Sequence, residues 1–217
     1  ELSMLKLSDL GDWEEAKQSL FGLVSEYEKW INNIELKAEN SEDLKDYREA
    51  AKLNVAKCRT TLQRIKKGIE LLNGAGEDSD LIKCFRWMNR AMIWQQQRSK
   101  TKQRKWIRKE SGTSIKYLLE GINGSNNKKF ASLQEFHDSS HSNGRWRPFQ
   151  LAFILMNIES IINPDSLERE IVDLVWFPTG GGKTEAYLGL TAFNIFFRRM
   201  KGKENFNWDF YGGTTVL

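Results

Sequence analysis

Three consecutive glycines followed by a lysine and a threonine are the most chemically specific feature of this 217-residue chain. In FPTGGGKT, residues 177–184, Gly180, Gly181 and Gly182 let main-chain N–H groups close around an anion with no Cβ in the way. Lys183 supplies a cation for the β- and γ-phosphates of a nucleotide, and Thr184 supplies a hydroxyl for its Mg²⁺. The expected nucleotide contacts are Thr179, Gly180, Gly181, Gly182, Lys183, Thr184 and Glu185, with Lys183 and Thr184 as the catalytic pair and Thr184 as the metal contact. Such a loop needs a strand before it and a helix after it, because the positive end of the helix faces the phosphate. Both neighbours are expected here. Five of the six residues 172–177 are apolar or aromatic, which suits a buried parallel strand, and residues 185–200 have the composition of a helix.

A second chemical element lies upstream. In RPFQ, residues 147–150, Pro148 suits the first turn of a helix, and a glutamine amide can donate and accept at once, which matches the edge of adenine. FPTGGGKT resembles motif I of superfamily 2 helicases, A-x-T-G-x-G-K-T. Phe177 stands in place of the small first residue and departs from the general phosphate-loop pattern at that one position. RPFQ is similar to the R-P-x-Q element that superfamily 2 proteins carry upstream of motif I. The resemblance implies that Arg147 and Gln150 join the nucleotide-binding set, with Gln150 on the adenine, and that the cofactors are ATP and Mg²⁺.

The elements that must hold these residues are expected to be mostly helical. Ser8 or Asp9 can cap a first helix in which Trp13, Ala16, Leu20, Leu23, Val24, Tyr27, Trp30, Ile31 and Ile34 recur at three- and four-residue steps. Ser41 can cap a second, carrying Leu44, Tyr47, Ala51, Val55, Cys58, Leu62, Ile65, Ile69 and Leu72 and stopping at Gly74. The pair predicts an antiparallel helical hairpin. A third helix is expected from Ser79 or Asp80, continuing into residues 98–109, where seven of twelve side chains are cationic: Arg98, Lys100, Lys102, Arg104, Lys105, Arg108 and Lys109, with Trp106 among them. That stretch suits phosphate-backbone contact with base stacking on Trp106, and equally a solvated helix face whose tryptophan packs inward.

Residues 115–122 predict one short element between glycine- and asparagine-rich loops. His137 and His141 have metal-ligand spacing, but the Ser, Asn and Gly around them predict loop, and no cysteine lies nearby. Residues 147–162 predict a buried helix ended by Asn163 and Pro164, and residues 214–217 a second parallel strand reached by a right-handed crossover. The fold class expected is therefore mostly α: a helical region over residues 1–143, then the beginning of a RecA-like α/β domain over 144–217.

Composition narrows the function classes. A net charge of +4 permits nucleic acid without requiring it. Cys58 and Cys84 lack CxxC spacing and suit core thiols of a cytoplasmic protein, and no apolar run is long enough to span a bilayer. The loop is followed by no Asp-Glu pair on an apolar strand, and a second RecA-like domain is missing, so the chain is expected to be part of a larger ATPase whose turnover draws on other residues.

CFRWMNRAM (residues 84–92), WRPFQLAFIL (146–155) and LVWFPTGGGKTEAYLGLTAF (174–193) together resemble the DrmA family, helicase-like subunits of the bacterial antiphage system DISARM. The resemblance implies an ATP-dependent DNA helicase or translocase in antiviral defence, working with a DrmB-like partner subunit. The competing expectation is a helical interaction or scaffold module whose phosphate loop turns over no nucleotide.

Overall fold

The computed structural model describes residues 1–99, 106–111, 114–119, 130–176 and 178–205. Helices α1 (Trp13–Asn40) and α2 (Arg48–Gly74) form the expected hairpin. Its periodicity places Ala16, Leu20, Val24 and Ile31 on the buried side of α1, facing Val55, Leu62, Ile65, Ile69 and Leu72 of α2. The start of α1 differs from the predicted cap, since the side chain of Asp12 accepts from the N–H groups of Glu14 and Glu15 at 2.8 and 3.2 Å. Ser8 and Asp9 are committed elsewhere: the Ser8 hydroxyl donates to the Leu5 carbonyl, and Asp9 pairs with Arg90. Ser41 likewise precedes a 3₁₀ turn (Glu42–Tyr47) rather than capping α2 directly.

Helix α3 is described over Asp80–Ser99, and the helix predicted to continue through residues 98–109 is not found at 106–109. Residues Trp106–Ser111 instead form strand β1, paired antiparallel with β2 (Ser114–Leu119), Trp106 opposite Leu119 and Ser111 opposite Ser114. Between the strands the sequence has Gly112 and Thr113, a glycine-first pair that favours hairpins, and aromatic and β-branched residues flank it. The predicted short element at 115–122 is β2.

Helix α4 (Leu133–Asp138) contains His137, which was expected in a loop; Ser132 caps it by accepting from the Glu135 N–H at 3.1 Å. The predicted helix over 147–162 divides into α5 (Pro148–Met156) and α6 (Ile158–Ile162). Asn157 causes the break: its Nδ2 donates to the Phe153 carbonyl that a continuing helix would have used, and its N–H turns to Ile154. A 3₁₀ turn (Leu167–Glu170) leads to an extended segment at 171–176, and α7 (Lys183–Asn205) closes the described chain. The strand expected at 172–177 has no ladder partner among the described residues; Val172, Leu174 and Trp176 are 94, 80 and 89% exposed. Phe177 and the strand expected at 214–217 lie outside the described residues, so the α/β arrangement is not seen and the described fold is mostly α.

One core runs through both predicted regions. Leu62, Ile65 and Ile69 of α2, Phe85, Met88 and Met92 of α3, Leu151, Ile154 and Leu155 of α5, and Phe193 and Phe197 of α7 belong to it. Packing of α5 on α2 and of α7 on α3 therefore crosses residue 143. Cys84 lies in this core, where burial pushes its thiol up to about 12, and Cys58 is half-buried; both are free thiols.

Helices α2 and α5 approach closely at Gly68 of α2, where an added Cβ would sit 2.0 Å from the Leu155 carbonyl oxygen. Backbone cannot yield as a side chain end can, so α2 and α5 would have to separate. Gly68→Ala is expected to lose on the order of 1–3 kcal/mol by urea denaturation despite alanine's better helix propensity.

Candidate phosphate-binding site

The loop residues 178–182 run from the extended segment 171–176 into the first turn of α7. Gly180 and Gly182 have φ of 77° and 85°, the left-handed region that a side chain disfavours. The Gly181 N–H donates to the Pro178 carbonyl at 3.0 Å, closing a turn. Lys183 opens α7, and its Nζ donates to the same carbonyl at 3.3 Å, a long and exposed bond. Thr184 is exposed on the next residue and Glu185 is half-buried beside Gly182.

RPFQ reaches this loop from α5. Arg147 Nη1 donates to the Gly181 carbonyl at 2.6 Å, and Gln150 Nε2 donates to the Gly182 carbonyl at 2.7 Å. Gln150 Oε1 accepts from the Arg147 N–H at 2.8 Å, completing the first turn of α5 with Pro148 inside it. Gln150 is 3% exposed, so its two bonds are sheltered from water, while the Arg147 bond lies on the surface. Two motifs separated by more than thirty residues thus meet atom to atom, and the local helix start aims both side chains.

The supports behind them were not legible as a motif. Trp146, one residue before RPFQ, is buried and donates through Nε1 to Asn89 Oδ1 at 2.7 Å. Asn89 in turn donates to the Phe85 carbonyl within α3, so a buried polar pair fixes the start of α5 on α3. Phe153 meets Tyr187 edge-on at 5.6 Å, and Trp87 meets Phe196 at 5.8 Å, locking α7 between α5 and α3. In front of the loop, Arg64 of α2 donates to both carboxylate oxygens of Asp173 at 2.6 and 2.8 Å and pairs with Glu168. The Asp173 bonds, opposed by burial, hold the Arg64 guanidinium above its ordinary range and firmly charged. The signal available was the single acid in the apolar run VDLVWF, which needs a cationic partner if it packs inward.

Four of the eight expected nucleic-acid residues fall among the described residues. Arg98 ends α3, exposed over the Trp94 ring at 5.6 Å, and Arg108 is exposed on β1. Trp106 and Lys109 fall on β1; Lys100, Lys102, Arg104 and Lys105 lie outside the described residues. His137 accepts or donates at Ser3 Oγ and Asp138 Oδ1, 2.9 and 2.8 Å away, while His141 is exposed. No group of three or more metal-ligating side chains occurs among the described residues. No described helix is long and apolar enough to cross a membrane.

Gly182 is the sensitive point of the assembly, because an added Cβ would fall 2.6 Å from Gln150 Nε2 in a backbone conformation that alanine resists. Gly182→Ala is expected to destabilise the chain by about 1–2 kcal/mol through the left-handed φ alone. Chemical denaturation measures the loss, and unchanged stability would show that the loop does not keep this geometry.

No family model matches the chain. It is 34% identical over 215 residues, 99% of its length, to a protein named DISARM protein DrmA from Bacillus paralicheniformis. The chain spans 16% of that relative's length. Along nearly all its residues, helical hairpin included, the chain is similar to one portion of a DrmA protein of the DISARM antiphage system, as the phosphate-loop and RPFQ stretches predict.

Proposed function

We propose that this chain is the nucleotide-binding portion of an ATP-dependent, superfamily 2-type DNA helicase or translocase in antiphage defence. The observation that carries the reading is the pair of bonds from Arg147 and Gln150 to the carbonyls of Gly181 and Gly182. They tie a base-reading element to a phosphate loop, which is the arrangement a nucleoside triphosphate needs at its two ends. The residues fit that ligand: left-handed glycines leave a cradle that a Cβ would fill, and a lysine and a threonine open a 23-residue helix.

In this reading Lys183 exchanges its long bond to Pro178 for the β- and γ-phosphates, and the loop N–H groups orient them. Thr184 holds Mg²⁺, which would supply charge neutralisation on the phosphates when bound. Gln150 has a second amide proton beyond the one given to Gly182 and directs it toward the base. Glu185 and Thr179 flank the cradle. Residues 144–217 begin a RecA-like domain in this reading, and hydrolysis draws on an acidic strand and a second RecA-like domain elsewhere in the parent protein.

DNA contacts are assigned to Arg98, Lys100, Lys102, Arg104, Lys105, Trp106, Arg108 and Lys109, with a DrmB-like subunit as protein partner and the cytoplasm as location. A scaffold reading is favoured by one observation, a groove of about 1120 Å³ between α1, α5 and residues 173–176, lined by Leu23, Tyr27, Trp30, Phe153, Leu174 and Trp176. Titration calorimetry with Mg·ATP separates the two. Micromolar binding to the chain, abolished by Lys183→Ala, is expected; absence of binding favours the scaffold. Reversing the charge of Lys102, Arg104 and Lys105 is expected to remove about three counterions' worth of salt dependence from DNA binding, a shallower slope of log affinity against log salt. An unchanged slope places the nucleic-acid surface elsewhere.

A further inference from the structure

Arg64 lies in α2, far in sequence from either nucleotide motif, yet its side chain is 10% exposed against the segment that leads into the phosphate loop. Its two terminal nitrogens bind the two oxygens of Asp173 side by side, and Nε faces Glu168 at the 3₁₀ turn. A two-bond fork fixes orientation as well as separation, which an ammonium cannot do. Among the described residues, 172–176 make no backbone–backbone hydrogen bond to another element. The fork is thus a specific polar attachment of this segment to the helical body, ten residues before Lys183.

We propose that Arg64 is a positioning residue for the phosphate loop. It holds the amino-terminal side of the loop on the hairpin, while Arg147 and Gln150 hold the carboxy-terminal side on α5. The loop is therefore slung between two helices that meet at Gly68 and Leu155, and its shape follows their separation. Lys66 with Glu28 and Arg59 with Glu35 tie α2 to α1, so α1 is coupled to the loop through the same helix. This rests on the nucleotide-binding reading above.

The test uses Mg·ATP titrations of the wild-type chain, Arg64→Ala, Arg64→Lys, Asp173→Asn and the double variant Arg64→Ala with Asp173→Asn. Each single change is expected to weaken Mg·ATP binding roughly 10-fold, the scale of a lost charge-assisted pair. The double variant is expected to be no weaker than the worse single one. Rescue by Arg64→Lys, additive losses or wild-type affinity would overturn the proposal. A second readout needs no nucleotide: spin labels at Leu53→Cys and Leu174→Cys, in a Cys58→Ser background, report the distance between α2 and the segment. That distribution is expected to broaden in Arg64→Ala and Asp173→Asn while circular dichroism stays native. An unchanged distribution overturns the clamp. If wild type fails to bind Mg·ATP, the functional reading fails and the label distances still decide the clamp.

Discussion

Helix α5 is apolar around most of its circumference because it is packed on more than one side. Gly68 lets α2 approach it to backbone contact, and α7 lies across it with Phe153 against Tyr187. Burying Leu151, Ile154 and Leu155 stabilises the arrangement by about 1.5–3 kcal/mol per side chain. That packing fixes where the first turn of α5 ends up, and the first turn is where Arg147 and Gln150 leave the helix. The phosphate loop inherits its position from the core through these two side chains.

Polar groups refine what packing places. The buried bond from Trp146 to Asn89 settles the rotation of the segment before α5, and the Arg64 fork settles the segment before the loop. Each is sheltered, so removing one partner leaves the other unsatisfied in a poorly hydrated place. Exposed pairs on the hairpin, such as Lys29 with Glu26 and Lys52 with Glu49, are worth little by comparison.

Periodicity made the hairpin legible, since Leu62, Ile65, Ile69 and Leu72 can share a face only on a helix. The glycine run and the RPFQ element made the loop and its neighbour legible because their chemistry is local. What escaped was non-local or competitive. Nothing in the residues around Asp9 says that Arg90 will claim it, and nothing around Arg64 names Asp173, more than a hundred residues away. The strand β1 was hidden by a run of basic residues that suits a helix equally well, and Asn157 broke a helix that its apolar neighbours would have continued.

The outward row of Val172, Leu174 and Trp176 bears on how the molecule behaves in solution. An apolar segment whose backbone groups have no ladder partner among the described residues is a template for strand addition, and no charged side chain stands in that outward row to discourage it. A neighbouring strand would satisfy the backbone groups of this segment, and a layer packed on its face would cover the row.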